Sequence, residues 1–114
     1  MPKNSDSPIK CEKLGGCGEG TGWRYAVQLP DMDGAFTMSA RLELEPGASV
    51  GYHTHETNEE VYTIISGSGI YNDDGTETEA KSGDVFLCRK GHSHSLKNTG
   101  TELLIFGAAI ATRG

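Results

Sequence analysis

The sequence predicts an all-β protein built from many short strands, as in a sandwich or a barrel, and three observations predict it. Glycine is about twice as frequent as usual, with 16 of 114 residues against a typical level of about 7%. Short apolar stretches alternate with polar positions at the period of a strand. No segment shows a sustained helical period. Frequent turns between such stretches are typical of sandwiches and barrels.

Composition excludes several classes of partner. The net charge of −6 disfavours binding to nucleic acid. No apolar run approaches the roughly 20 residues of a membrane-spanning helix, and the first ten residues lack the apolar stretch of a secretory signal. The three cysteines, Cys11, Cys17 and Cys88, are an odd number that indicates free thiols in a reducing compartment. We therefore expect a cytoplasmic protein with no nucleic-acid or membrane partner.

The chain divides into an arm and one domain. Residues 1–22 are polar and rich in glycine, so we expect a flexible arm with room for one short strand. Residues 23–114 have the length of a single compact domain.

The clearest strand is predicted at residues 36–45, where apolar and polar side chains alternate over ten positions. One face of this strand is expected to enter the core through Phe36, Met38, Ala40, Leu42 and Leu44. Pro46 and Gly47 end the strand, and extended structure resumes at residues 51–55.

Further strands are expected at residues 60–66, 76–80, 84–88, 94–98 and 102–110. Residues 72–75, Asn-Asp-Asp-Gly, predict a hairpin turn, because these residue types tolerate positive φ angles. The last strand is apolar on both faces and has to be covered twice, either by its own core and the N-terminal arm or by a second subunit. We therefore expect a homodimer that forms by sheet extension, with the arm free to add a strand across a neighbour.

The four histidines come as two pairs, at residues 53–55 and 92–94. Residues i and i+2 of a strand point to the same side, so each pair can present two imidazoles to one point. Glu60 follows His55 after a short polar loop, which allows a carboxylate to turn back over the histidines. Imidazole and carboxylate donors without a thiolate suit a divalent ion of Mn, Fe, Co, Ni or Zn.

These residues lie in two spaced motifs that resemble those of the cupin superfamily. The first motif reads Gly47-x5-His53-x-His55-x4-Glu60-x6-Gly67. The second reads Gly83-x5-Arg89-x-Gly91-x2-His94-x3-Asn98, with Arg89 where the family has proline. The chain thus resembles a small single-domain cupin, and the resemblance implies a double-stranded β-helix, also called a jelly-roll barrel.

The resemblance also implies a metal site and a ligand inside the barrel. In cupins, the matching residues His53, His55, Glu60 and His94 would bind one divalent metal ion, such as Mn, Fe, Zn or Ni. The alternative is a degenerate cupin that kept the fold and lost its ion. Arg89 replaces a residue that gives rigidity to a turn, not a ligand, and the motif glycines are expected at tight turns.

Two classes of function fit such a site. The first is an enzyme acting on a small oxygenated metabolite, a carboxylic acid, sugar or catechol, that chelates the metal. Within the cupins this resembles metal-dependent dioxygenases, oxalate-type decarboxylases or oxidases, and sugar isomerases. The second is a metal-dependent small-molecule binding or sensing module without turnover. Fold membership alone does not choose between them.

Two further side chains are candidates for catalysis. Tyr62 shares the parity of Glu60 and is expected to line the cavity, as a hydrogen-bond donor to substrate or as plain aromatic wall. His92 is either a rim histidine in solvent or a group that supports the metal or the substrate. Glu59 is expected to be solvated and Cys88 to be a small core residue. Candidate anchors for an anionic substrate, with surface charge as the alternative, are Arg41, Arg89, Lys90 and Lys97.

Overall fold

All regular structure in the described residues is β-strand. A computed structural model describes residues 9–12, 18, 20–26 and 35–112 of the chain. These described residues contain ten strands in chain order: β1 Ile9–Glu12, β2 Thr21–Ala26, β3 Phe36–Leu44, β4 Ser49–Thr54, β5 Glu59–Ser66, β6 Ser68–Asp73, β7 Thr76–Lys81, β8 Val85–Cys88, β9 Ser93–Asn98 and β10 Leu104–Ala111. Within this part of the chain, no helix has the length and apolar character needed to cross a bilayer. The predicted all-β class is confirmed.

The strands form two antiparallel sheets that share one core. The larger sheet has the order β1-β2-β3-β10-β5-β8, and the smaller has the order β4-β9-β6-β7. Leu44 and Phe106 of the larger sheet belong to the same buried cluster as Val50 and Leu96 of the smaller sheet. Buried side chains from both sheets therefore fill the space between them.

The core face predicted for β3 is correct except at its first residue. Ala40, Leu42 and Leu44 are buried, and Met38 packs against them. Phe36, however, is 58% exposed, so its assignment to the core is wrong. The pairing with β10 is irregular there, because Met38 lies opposite Ile110 while Phe36 lies opposite the next residue. This bulge leaves one unpaired residue on β3 and breaks the alternation on which the assignment depended.

The hairpin turn at residues 72–75 is confirmed, and a strand that the sequence pattern did not mark precedes it. Asp74 and Gly75 both have positive φ angles, 50° and 95°, and they join β6 directly to β7. Strand β6 passes through Gly69, where an added Cβ would lie 2.2 Å from the carbonyl oxygen of Lys97. Glycine at this position therefore allows β6 to lie close against β9.

The expected N-terminal arm falls mostly outside the described residues. Within residues 1–22, the segment 9–12 forms β1 and pairs with β2, which begins at Thr21. The division into arm and domain stays a prediction. Of the cysteines, Cys88 has a described side chain, which is buried and free as expected for a small core residue. The cytoplasmic location also stays a prediction.

Candidate metal centre

Three histidines and one glutamate come together from both sheets. His53 lies on β4 directly opposite His94 on β9, and His55 follows the end of β4. Glu60, the second residue of β5, reaches the group from the larger sheet. Tyr52 and Thr54 point outward and are exposed, as the alternation along the strand predicts.

The donor atoms of these four side chains converge on one point. The Nε2 atoms of the histidines lie 3.1 Å apart for His53 and His55, 3.0 Å for His55 and His94, and 3.1 Å for His94 and His53. The Oε1 atom of Glu60 lies 3.0 Å from His55 Nε2 and 2.9 Å from His94 Nε2. All four donor atoms lie within 4.8 Å of one another. His55, Glu60 and His94 are buried, and His53 is 25% exposed.

Each histidine is held from behind through its other ring nitrogen. The Nδ1 atom of His53 lies 2.6 Å from the Gly51 carbonyl oxygen, and that of His55 lies 2.6 Å from Asn58 Oδ1. The Nδ1 atom of His94 lies 3.0 Å from the Tyr71 hydroxyl. Sequence reasoning missed Asn58 and Tyr71. The position of Asn58 three residues after His55 is a local clue, whereas Tyr71 has none, because only the pairing of β6 with β9 brings it to His94.

The chemistry of this donor set fits a cation. A backbone carbonyl and an amide oxygen only accept hydrogen bonds, so the Nδ1 atoms of His53 and His55 carry the protons. In the neutral rings, the Nε2 atoms then carry lone pairs, and these two lone pairs face each other at 3.1 Å. A divalent ion satisfies both lone pairs together with the buried carboxylate, and nitrogen and oxygen donors of this type suit first-row divalent metals.

The electrostatics of the cluster favour an ionised glutamate. Burial alone would raise the pKa of Glu60, but the surrounding imidazoles of His53, His94 and His55 lower this pKa to about 2. The same carboxylate raises the pKa of His53. Burial lowers the pKa of His94. The negative charge at the centre is therefore present at neutral pH and available to a cation.

Tyr62 lies beside the cluster, as predicted. Its ring stacks on His94 at a centroid distance of 4.7 Å and packs on Phe106 at 4.8 Å. Burial, and then the charge of Glu60, raise the pKa of its phenol well above the usual value. Tyr62 thus forms part of the wall around the donor atoms, and its catalytic role stays a prediction.

His92 lies outside the cluster. Its Nδ1 is paired with Asp74 Oδ2 at the exposed β6–β7 turn, and both side chains are about half exposed, at 49% and 44%. The second carboxylate oxygen of Asp74 accepts the backbone N–H of Ser93 at 2.8 Å. The structure therefore places His92 at the rim, the simpler of its two predicted positions, and its catalytic role stays a prediction.

The loop around Arg89 is held by backbone hydrogen bonds. The N–H of Gly91 donates to the His55 carbonyl at 2.6 Å, and the N–H of His55 donates to the His92 carbonyl at 3.0 Å. Gly91 has a φ of 86°, which favours glycine. These bonds join the loop to a histidine of the cluster without the proline that the motif leads one to expect.

The charged candidates are on the surface. Arg41 lies 4.0 Å from the centroid of the Tyr25 ring and 3.6 Å from Glu43. Lys90 lines a cavity of about 470 Å³ together with Asn58 and Glu59. Glu59 and the four candidate anchors are exposed and lie outside the group of donor atoms; the anchors are Arg41, Arg89, Lys90 and Lys97. They fit the alternative of ordinary surface charge.

Comparison with known proteins agrees with this geometry. Residues 40–109, which contain the whole cluster, match the profile of the cupin domain family. An oxalate-binding protein of Thermotoga maritima is 46% identical over 71 residues, which cover 62% of this chain and 59% of that protein. An auxin-binding protein of Prunus persica is 33% identical over 81 residues, or 67% of this chain and 39% of that protein. These matches span less than two thirds of the relatives.

A solved structure matches over nearly the whole chain. The crystal structure of a predicted oxalate decarboxylase from Thermotoga maritima has a TM-score of 0.89 and 35% sequence identity. The match covers 94% of this chain and 93% of that one. A protein from Klebsiella pneumoniae with a double-stranded β-helix domain matches with a TM-score of 0.69 at 24% identity. The predicted jelly-roll fold is confirmed.

Proposed function

Because the chain belongs to the cupin domain family, we propose that it binds one divalent metal ion through His53, His55, Glu60 and His94 and holds a small chelating dicarboxylate of the oxalate type on that ion. One observation carries the proposal: three imidazole nitrogens and one ionised carboxylate oxygen converge within 4.8 Å. The ion supplies positive charge for an anionic ligand in a site whose other residues are mostly uncharged.

Coordination chemistry and sequence similarity both support a ligand of the oxalate type. Four protein donors leave open positions on an ion that prefers six, and two carboxylate oxygens of one small molecule can take them. The Thermotoga maritima relatives bear the names oxalate-binding protein and predicted oxalate decarboxylase. His53 is the most exposed of the four candidate ligands, so we place the approach of the ligand on its side.

Binding without turnover is the function that the surroundings support best. Burial raises the pKa of Tyr62 and Tyr71 above the usual phenol value and raises the pKa of Cys88 to about 11. None of these three groups is therefore suited to exchange a proton near neutral pH. An enzyme of the oxalate-decarboxylase type is the second candidate, favoured by the open metal positions and by the 35% identity to the predicted decarboxylase.

Titration calorimetry tests the proposal. Chelator-treated protein should take up one equivalent of Mn²⁺ or Zn²⁺, and the loaded protein should then bind oxalate. The variant His55→Ala should lose both, while His92→Gln, which changes a histidine outside the cluster, should keep both. Oxalate binding that is equal with and without metal would contradict the proposal. Release of formate and carbon dioxide from oxalate, lost in His55→Ala, would favour the enzyme instead.

A second copy of this chain is proposed as the macromolecular partner. The outer face of β5 and β8 presents four exposed apolar side chains, Val61, Ile65, Val85 and Leu87, with exposed fractions of 36–63%, and the charged Glu59 lies on the same face at the start of β5. β8 also ends the larger sheet, so its free edge adjoins this face. In a chain with a net charge of −6, this mostly apolar face lets two copies meet with few charges of the same sign opposed.

Sedimentation tests the dimer. The wild type should sediment as a dimer at micromolar concentration, and Val85→Glu should sediment as a monomer. Thr76→Glu, which adds the same charge on exposed β7, should leave the dimer intact. A wild-type monomer at that concentration would contradict this part of the proposal.

A further inference from the structure

The three histidines of the cluster differ in what holds their Nδ1 atoms. His53 faces the Gly51 carbonyl oxygen and His55 faces Asn58 Oδ1, and both oxygens only accept hydrogen bonds. His94 faces the Tyr71 hydroxyl at 3.0 Å. A hydroxyl both donates and accepts. His94 is therefore the one ring of the three whose Nδ1 partner tolerates either tautomer.

We propose that Tyr71 is a positioning residue that lets His94 exchange its tautomer when the site binds a metal ion. Gly51 and Asn58 instead hold His53 and His55 in the tautomer that has its proton on Nδ1 and a lone pair on Nε2 for the metal. The inference rests on the proposed metal site. It assigns distinct roles to three ligands that the motif presents as equivalent.

In the metal-free protein, the Tyr71 hydroxyl donates a hydrogen bond to Nδ1 of His94. The Nε2 atom of His94 then carries the ring proton, and this N–H donates a hydrogen bond to Glu60 Oε1 at 2.9 Å. One N–H thus lies among the lone pairs of the other two rings, whose Nε2 atoms are 3.0 and 3.1 Å away. This proton lessens the repulsion that unprotonated donors would suffer at such distances.

When Nε2 of His94 binds a cation, the ring keeps its single proton but carries it on Nδ1. The Nδ1–H then donates to the Tyr71 oxygen, and the Tyr71 hydroxyl changes from donor to acceptor. The number of protons on the ring is the same before and after the exchange. His53 and His55 keep their Nδ1 protons throughout, because their acceptors cannot donate.

The surroundings of Tyr71 hold its hydroxyl in place for this role. The side chain is 2% exposed, and its ring stacks on Phe86 at a centroid distance of 4.2 Å and an interplanar angle of 15°. Tyr62 meets it edge-on at 6.1 Å. The pairing of β6 with β9 places Tyr71 opposite Leu96, two residues along from His94. The phenol therefore cannot swing away without disturbing the core.

Nitrogen-15 NMR of the imidazole rings at mildly alkaline pH tests the inference, with Zn²⁺ alone as the probe. In chelator-treated protein, His94 should show protonated Nε2 and lone-pair Nδ1, whereas His53 and His55 should show protonated Nδ1. On Zn²⁺ addition, His94 alone should move its proton to Nδ1. Zn²⁺ binding with no change of tautomer at His94 would overturn the exchange and leave the proposed function standing. Failure of the wild type to bind Zn²⁺ would overturn both.

Substitutions supply a second readout. Tyr71→Phe removes the hydroxyl and keeps the ring, so Zn²⁺ affinity should fall about 10- to 100-fold and the His94 tautomer should no longer be fixed in the metal-free protein. Asn58→Asp keeps an acceptor beside His55 and should retain Zn²⁺ binding, whereas Asn58→Ala should weaken it. Tyr52→Phe removes a hydroxyl on the outer face of β4 as a control. Wild-type affinity and spectrum in Tyr71→Phe would overturn the role of Tyr71.

Discussion

The variant Glu60→Gln should reveal how strongly the cluster stabilises the buried charge. In the metal-free protein, the environment lowers the pKa of Glu60 from 4.5 to about 2. Such a group contributes stability that is present above its unfolded-state pKa and lost as the pH falls through its folded-state pKa. The difference between the two values corresponds to about 3 kcal/mol of unfolding free energy near pH 5 and to almost none near pH 2. Glutamine resembles the protonated, neutral side chain of glutamate. The unfolding free energy of the wild type should therefore exceed that of Glu60→Gln by this amount near pH 5 but not near pH 2.

Urea unfolding followed by circular dichroism, with chelator present, measures this gap at several pH values between about 3 and 6. The matched control is Glu59→Gln, which makes the same change at the adjacent, exposed position outside the cluster. A gap between wild type and Glu60→Gln that stays constant with pH, or below about 1 kcal/mol at pH 5, would refute the reasoning. It would mean that the imidazoles do not stabilise the carboxylate in the folded protein.

Three further predictions concern the effect of acid on metal binding, the close approach at Gly69 and the position of His92. Metal occupancy and melting temperature should both fall below about pH 6, because the raised pKa of His53 lets protons compete with the ion for that ring first. Elemental analysis and calorimetry measure the two quantities. A melting temperature that changes with neither acid nor chelator would contradict this prediction. Gly69→Ala should lower the free energy of unfolding in urea by about 1–3 kcal/mol, since the added Cβ would lie 2.2 Å from the Lys97 carbonyl oxygen. The control Gly107→Ala should be tolerated, because the atom nearest to its added Cβ is 4.0 Å away. Equal losses of stability in the two variants would argue against the close approach at Gly69. His92→Gln should leave Zn²⁺ affinity unchanged by calorimetry, and a loss of about tenfold or more would place His92 in the site after all.

The convergence of His53, His55 and Glu60 was predictable because their geometry is local. A spacing of two residues on a strand puts His53 and His55 on one side, and a short loop returns Glu60 to them. His94 joins them through strand pairing across 41 residues, which the resemblance to a known motif supplied and periodicity alone did not. The glycine positions of that motif were likewise predictable, since Gly47, Gly67, Gly83 and Gly91 all have positive φ angles.

The parts that sequence reasoning missed depend on long-range register. Tyr71 reaches His94 only because β6 lies beside β9, and nothing near Tyr71 in the sequence indicates this neighbour. Phe36 follows the alternation of its strand and is exposed all the same, because a bulge in the pairing with β10 interrupts the pattern. The alternation of apolar and polar residues predicts which face of a strand is buried only where the pairing with the neighbouring strand is regular.

The donor atoms are drawn from both layers of the molecule, with His53 and His94 on one sheet and Glu60 on the other. A cation held there would act as a cross-link that ties the two layers at one end of the barrel. Its removal would then loosen distant strands in concert, so amide hydrogen exchange in β4, β5 and β9 should accelerate together when the protein is stripped of metal. The ion would thus stabilise the packing of the two sheets as well as bind the ligand.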